Sequence, residues 1–469
     1  MKDVSKFIDN TPIWNEVKKI TSAKAARCEY TYKGMVHTVK EDIQISKLLY
    51  VDTVRDYVEN IGDVIFVQFI VPLGDYVKRI YPYRDNLEFS IKKVSPTKED
   101  KPVIYRYKAI FLESENRQAS DSEVNSMSHE VLNISDIVEV KFQLLDVSLE
   151  LLRIATVSGI FMNQSREDLI HSILYSVSSD FKIKGKKAID GIDIFPPDNK
   201  GKITQMVIKD GTEIHTVPNI VHARFGGLYA SGLGTYFQIY NNLKYWFVYP
   251  IGNVDRFKGK EDKMIFYAIP DKRLNQTERT YRKESGTTHV IVTGAKIFSH
   301  NSEISFMNNG VGYRSSDADA FMKKPVEMTE DGPKALRNRL NTEHISKDRS
   351  DNLNYAPVSR GQNNSLGIMA NQFLEYSKVN LRRLTRVEFI WENSDASLIY
   401  PGMPCKYVFT HADKSVELKG VIVGVHDTIS VTGSKFTSEI YRNHASVTIL
   451  VEPNTVIPKT SESKPHGKF

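Results

Sequence analysis

His129 and Glu130 open the run HEVLN, which begins like the helix of a zinc peptidase. In H-E-x-x-H, two histidines one helical turn apart hold the metal and the glutamate activates water. Asn133 stands where the second histidine belongs, so the pair reads as a loop histidine beside an acid. The run GKIT at 201–204 has the closing letters of a phosphate-binding loop without its upstream glycine, and the glycine is what lets backbone N–H groups cradle phosphate. His215 and His222 lie seven positions apart across Pro218, and His411 and His426 flank one hairpin. A metal site needs three or four converging ligands, and neither pair has the rest of a set. The sequence therefore carries no complete nucleophile, metal or phosphate constellation. The expectation is a protein that is not an enzyme, with no catalytic residues, no cofactor and no metal.

Charge gives the same direction. Lys and Arg number 63 and Asp and Glu 57, a net +6 over 469 residues, which is not the footprint of a dedicated nucleic-acid binder. The most basic stretch, 256–283, interleaves Arg256, Lys258, Lys260, Lys263 and Arg282 with acids over nearly the same span, among them Asp255, Glu261, Asp262 and Glu278. That mixture reads as a solvated face or an interface rim, since a phosphate-tracking groove would be less interleaved. Cys28 and Cys405 are the two cysteines, too few and too far apart for a disulfide scaffold, so folding in a reducing cytoplasm is expected. MKDVSKFIDNTPIW has no apolar signal core, and no run approaches the ~20 apolar residues of a membrane span.

The elements that would position any site are mostly strands. Residues 1–155 read as an all-β unit, a barrel or sandwich, with strands arriving between polar turns. DVIFVQFIVPLGDYVKRIYP is its most apolar strand pair, turning at Pro72 to Asp75, and IVEVKFQLLDVSLELLRIATVSGIF continues it as strand. Arg117 to Glu130 is a polar loop. SREDLIHSILYSVSS is the first clear helix: Ser165 can cap it, and Glu167 and Asp168 suit the positive end of its dipole. Residues 156–275 form a middle α/β domain. In it Gly226, Gly227, Gly232 and Gly234 read either as a tight loop needing positive φ or as close backbone approach to a partner subunit. Residues 276–320 offer strands to a second barrel. Residues 321–365 are a long polar loop or insertion with a short helix around Pro333 to Asn341, and loops of that length are more often functional. Residues 366–455 hold a helix and a β-meander, and 456–469 are a polar tail.

The last unit is the most specific. A helix, NNSLGIMANQFLEYSKVNLRRL, starts at Asn364 and Ser365 and sets Met369 and Phe373 on one face. RVEFIW, CKYVF, KGVIVGVHDTISV and HASVTILVEP follow as strands, with YPGMP as a turn. Pro401-Gly402 favours a type II turn with Gly402 at positive φ. Gly420 opens the richest strand, where a missing Cβ admits a neighbouring strand. By alternation Val421, Val423 and Val425 share one face and Ile422, Gly424 and His426 the other. His426, beside Asp427, is expected to bond to backbone or a neighbouring strand. In its order of feeder helix, L-x-x-P-G (here SLIYPGMP), a G-x-x-V-x-x-V-x-H-like strand and a last alternating strand, this stretch resembles the final domain of the central baseplate hub protein of contractile-tailed, T-even-type bacteriophages. The hub part of type VI secretion spike proteins shares that domain.

The resemblance implies a mainly β chain with an α+β middle region: two tube-protein-like antiparallel β-barrels joined by a mixed α/β domain. It implies a structural virion protein of the tail baseplate, assembled in the host cytoplasm. Such a protein would be a homotrimer between the six-fold tail tube and the three-fold central spike protein, near the tube-initiator, tape measure and wedge proteins, with no membrane insertion. Met369, Phe373, Gly232 and Gly234 are then candidates for contacts between copies. A tube-initiator or minor tail protein is the alternative in the same class, and a tail-tip cell-wall hydrolase the rival from another.

Overall fold

The computed structural model describes residues 12–22, 31–94, 103–112, 137–180, 182–183, 186–270, 280–298, 328–329, 332–333, 384–411, 414–432 and 441–452. The chain is mainly β: two barrels with an α/β region between them. Helix α1 (Pro12–Ser22) precedes the first barrel, which comprises β1 (Thr31–His37), β2 (Asp42–Gln44), β3 (Lys47–Asp56), β4 (Val64–Pro72), β5 (Leu87–Val94), β6 (Val103–Phe111) and β7 (Ile137–Leu145). Its strands lie in the order β2-β1-β5-β6-β7-β4-β3, each antiparallel to its neighbours. β1 returns beside β3, so the sheet rolls around Val36, Val67, Phe69, Phe89 and Phe142. Side chains of a strand alternate between faces, and Ile65, Val67 and Phe69 of β4 supply the inner one.

The middle region contains α2 (Val147–Ile154), β8 (Thr156–Ser165), α3 (Arg166–Asp180), the short β9 (Lys182–Ile183) and β10 (Lys186–Lys187), β11 (Gly191–Ile194), β12 (Lys202–Glu213), α4 (Val217–Arg224), β13 (Leu233–Tyr240) and β14 (Leu243–Pro250). Ser165 Oγ accepts the N–H of Asp168 at 3.0 Å and donates to its carboxylate at 2.6 Å, a reciprocal cap on α3. Leu169, Ile170, Ile173 and Leu174 then pack on Phe237, Trp246 and Val248. β13 and β14 are a hairpin turning at Asn241 and Asn242, with φ of 50° and 64°. Asparagine tolerates the positive φ that a two-residue hairpin turn requires. β8 and β12 form a separate two-stranded ribbon.

The second barrel comprises β15 (Lys263–Ala268), β17 (Thr287–Phe298), β20 (Thr385–Glu392), β21 (Pro404–His411), β22 (Lys414–Val431) and β23 (Tyr441–Val451), with β16 (Tyr281–Glu284) beside β17 and a small pair, β18 (Met328–Thr329) and β19 (Gly332–Pro333), apart from it. It closes by hydrogen bonds as β17-β20-β23-β22-β21-β15-β17. Phe266, Val290, Phe389, Trp391, Val425 and Ile449 fill it. The two barrels share one topology. In the first, the ring order is β3-β4-β7-β6-β5-β1. Replacing each strand by the one of the same rank in the second barrel gives β17-β20-β23-β22-β21-β15. One strand differs: β15 runs parallel to both neighbours, whereas β1 is antiparallel to β5.

Several expectations change. The first unit is not all strand. α1 is helical and lays Ile13, Val17 and Ile20 on Tyr267, Ile291 and Val408 outside the second barrel. YVKRI after Pro72 is a helical turn, not the return strand: Arg79 bonds back to Asp75 at 2.8 Å, and Ile80 is its one buried residue. VSLELLRI is a helix because Asp146 caps it, accepting from Ser148 N at 2.7 Å. Its Leu149 and Leu152 belong to the middle core, which moves the boundary at 155 back to about Asp146. The boundary at 275 moves likewise, since β15 is a wall of the second barrel. The short helix α4 precedes the glycine loop, with Pro218 in its first turn where proline's fixed φ suits a helix start. Pro333 sits in β19, paired with Met328, and residues 334–341 of the expected short helix lie outside the described residues. The feeder helix with Met369 and Phe373, Cys28, His129, Glu130, the loop 117–130, most of 321–365 and the tail 456–469 lie outside the described residues.

Candidate functional site

The feature that organises the molecule is a seam between the barrels. β22 is 18 residues long, rich in β-branched residues that favour extended backbone. Its first part pairs with β21 up to Val421, and from Gly424 to Ser430 the same strand pairs with β3, residues Asp56 to Tyr50. A bulge between Ile422 and Gly424 makes the switch, and bulges bend a strand in this way. The bulge also breaks simple alternation: Val421, Ile422 and Val423 are all buried, and His426 is turned outward.

His426 bridges the seam. Its Nε2 lies 2.5 Å from Asp52 Oδ1 on β3, and Thr428 Oγ1 donates to the same oxygen at 3.4 Å. Behind this outer pair lies a partly to fully buried network that ties in the middle region. Arg55 Nε donates to Asp63 Oδ2 at 3.1 Å and its Nη1 to the Ala396 carbonyl at 3.3 Å. Tyr236 OH donates to Asp63 Oδ1 at 3.1 Å. Tyr57 OH donates to Gln238 Oε1 at 3.1 Å, and Gln238 Nε2 to the Ile399 carbonyl at 2.7 Å. Asp427, buried, accepts from Ser394 Oγ at 3.2 Å, and burial pushes its carboxyl above the usual range. Buried polar groups cost little only when they are bonded in this way.

Two glycines shape the same junction. Gly402 has φ +69° in a turn closed by Met403 N donating to the Tyr400 carbonyl at 3.2 Å, and Pro401-Gly402 are its central pair. A Cβ on Gly402 would come 2.2 Å from Tyr249 Cδ2, and one on Gly234 would come 2.4 Å from the same ring. The Tyr249 ring is therefore slotted between two bare backbones, and its OH donates to the Tyr57 carbonyl at 2.7 Å. Arg256 Nη1 donates to the Gly402 carbonyl at 2.8 Å while its other nitrogens bond Glu261. Gly420 lies against β23, where a Cβ would meet the Leu450 carbonyl at 2.6 Å. Gly232 takes φ +95° just before β13. Thus Gly402, Gly420, His426 and Gly234 gather around the seam and its backing.

His215, His222, the GKIT run and the described part of the basic stretch find no such meeting point. His222 Nδ1 accepts from Leu228 N at 3.0 Å, and burial pulls its pKa down to about 4. His215 sits near Glu213 at 3.4 Å. Gly201 gives its carbonyl to Arg166 Nη1 at 2.9 Å and leads into a strand, not a phosphate-binding helix. In the described part of the basic stretch Arg256 pairs with Glu261, Lys283 with Asp262 and Arg282 with Glu284. Among the described residues no group of three or more His, Cys, Asp or Glu gathers as for a metal, and no described helix is long and apolar enough to cross a membrane. One arrangement escaped the sequence. His37 Nδ1 lies 2.6 Å from Asp42 Oδ1 and its Nε2 2.8 Å from Ser90 Oγ. The order is that of a Ser-His-Asp triad, from residues 5 and 53 positions apart that no local motif announces. Ser90 lies mid-strand, paired with Met35 and Arg106 on either side, and the trio ties the β1–β2 turn to β5.

No protein-family model and no curated protein matches the sequence. The structure is similar to several solved tail and secretion proteins. The 43 kDa tail protein of prophage MuSo2 from Shewanella oneidensis aligns with TM-score 0.45 and 9% identity, covering 89% of this chain and 98% of that one. A tail protein from Neisseria meningitidis MC58 aligns with TM-score 0.41 and 9% identity, over 90% and 96%. The E. coli c3393 protein, a component of the type VI secretion system with structural similarity to T4 bacteriophage tail proteins gp27 and gp5, aligns with TM-score 0.39 and 11% identity, over 86% and 73%.

Proposed function

We propose that the chain is a structural protein of a phage tail baseplate, the trimeric hub between a six-fold tube and a three-fold spike. The observation that carries this is the pair of barrels with one strand order, joined edge to edge within one chain. A three-fold ring of such chains presents six similar barrels, so a six-fold neighbour meets six near-equivalent sites on a three-fold body. A closed three-fold ring must use heterologous contacts, one face of a chain on a different face of the next. Permanent rings of this kind bury ~2,000 Å² or more per contact around an apolar centre. The partners in this reading are a tube or tube-initiator protein on the barrel ring and a spike protein on the other side, with the tape measure and wedge proteins nearby in the virion. Mass measurement in solution, alone and with the spike protein, tests it. A trimer is expected in at least one condition, and a monomer or dimer in both overturns it.

The Ser90-His37-Asp42 chain favours the one rival of another class, a cell-wall hydrolase. Incubation with peptidoglycan separates the readings. The hub predicts no protein-dependent cleavage, whereas cleavage lost in Ser90→Ala would establish the hydrolase.

A further inference from the structure

The intrachain seam has a definite recipe. It uses the edge of β3 that faces β1, and the part of β22 that continues past its pairing with β21. By strand rank, β3 corresponds to β17 and β22 to β6. β17 carries the matching free edge. Thr287 to Val292 pair there with β15, and on the opposite edge Thr293 and, past a bulge at Gly294 (φ +60°) and Ala295, Lys296 to Phe298 pair with β20. From Gly294 on, the β15-side edge holds no strand among the described residues. β6 carries the matching continuation. It pairs with β5 up to Ala109 and with β7 as far as Phe111, so Ile110 and Phe111 run past β5 as β22 runs past β21. Two large apolar side chains mark the two places: Ile297 is 63% and Ile110 43% exposed.

We infer that Lys296 and Ile297 of one copy, past the β17 bulge, add as an antiparallel strand beside Ile110 and Phe111 of the next, repeating between chains the seam that β3 and β22 make within one. The occupant is a second copy because the chain itself shows a β3-type edge seated on a β22-type continuation. Among the described residues each copy also has one half-edge of each type with no strand on it. The two are different surfaces, so their union is head-to-tail, the kind of contact that closes into a ring when the rotation between copies is one third of a turn. Main-chain pairing supplies the attraction, as in strand addition generally, and the exposed isoleucines leave water. The inference rests on the three-chain reading above.

The test joins Ile110→Cys and Ile297→Cys in one chain, with Cys28→Ser, and treats the purified protein with a short bismaleimide. Native Cys405 is buried. Covalent dimers and trimers are expected, and neither single-cysteine chain should give the trimer. Ile297→Asp should raise the concentration at which the trimer dissociates about tenfold or more, equivalent to ~1.4 kcal/mol. A wild-type-like melting profile for this variant checks that the fold persists, and the cysteine pair does not depend on it. A wild-type trimer whose cysteine pair gives no interchain product overturns the seam and leaves the three-chain reading standing. A wild type that is monomeric or dimeric with and without the spike protein overturns both.

Discussion

The two barrels follow the same strand order yet close differently. The second is a complete hydrogen-bonded ring because β15 bridges β17 and β21 with parallel ladders. In the first, β1 approaches β3 without a ladder, and the edge of β3 is given to β22 instead. Cohesion between the barrels therefore comes from incompleteness: an edge left open by one barrel is completed by the other. Unpaired sheet edges recruit strands, and here recruitment is built into the chain. β22 and β23 consequently serve two cores. Ile429, Val431 and Tyr441 pack in the first barrel while Val425, Val447 and Ile449 pack in the second.

That sharing predicts the largest effect. Trp391, fully buried with its Nε1 donating to Thr280 Oγ1 at 2.9 Å, and Phe142, fully buried in the first barrel, are comparable core anchors. Either replacement by alanine should cost about 3–5 kcal/mol. If the barrels are one cooperative unit, calorimetry will show both variants lowering the same transition. Two transitions, one moved by Trp391→Ala and the other by Phe142→Ala, would mean that the seam joins independent domains.

Gly402→Ala ranks next. The φ of +69° alone costs about 1 kcal/mol for a residue with a Cβ. The contact at 2.2 Å with Tyr249 adds about 1–3 kcal/mol of overpacking. Shortening the ring separates these contributions: in a Tyr249→Leu background only the φ part should remain. An unchanged denaturation midpoint for Gly402→Ala would show that the slot between the glycines is not a constraint.

How much of this is legible in the sequence follows from what each signal depends on. The α3 helix is readable because Ser165, Asp168 and the apolar period at Leu169, Ile170, Ile173 and Leu174 are local. The Pro401-Gly402 turn and the strands RVEFIW and GVIVGVHDTIS are readable for the same reason. α2 is not, because VSLELLRI is equally apolar as a strand, and its cap, Asp146, sits inside a longer run of strand-like residues. The seam cannot be read at all. Pairing of β3 with β22 brings together Asp52 and His426, 374 positions apart, and nothing local in either names the other. The tyrosine slot likewise needs Gly234, Tyr249 and Gly402 to meet, and the sequence shows only two glycines with separate local reasons. A bond from His426 to a neighbouring strand is expected from the sequence, but the identity of that strand is a property of the topology.

The seam's outer pair is a smaller test. The His426 side chain is half exposed, and pairs of that kind contribute at most about 1 kcal/mol. Asp52→Asn and His426→Gln should each lower stability by less than that, and a double-mutant cycle should return a coupling of a few tenths of a kcal/mol. A coupling of zero would assign the seam's cohesion to its ladder and buried network alone.

The smallest expected effect belongs to the second barrel only. His444 Nδ1 faces Glu392 Oε1 at 3.2 Å across β20 and β23. The hydrogen bond from His444 holds the Glu392 carboxyl below its ordinary value, and the same bond raises His444 above its own. A lowered carboxylate contributes stability above its unfolded pKa of about 4.3 and loses it as pH falls through the folded value. A raised histidine contributes below its unfolded pKa of about 6.5 and loses it as pH rises through the folded value. The pair is therefore at full strength between roughly pH 4.5 and 6.5. Both side chains are about two-fifths exposed, so solvent screening limits the contribution to a few tenths of a kcal/mol. His444→Gln should flatten the part of the melting-temperature profile that falls between about pH 6 and 8, leaving the profile otherwise parallel to wild type. Parallel profiles throughout would remove the pair from the second barrel's stability. A flattening that also splits the transition would show that the β20–β23 ladder couples to the seam, since β23 lies beside β22 along its whole length.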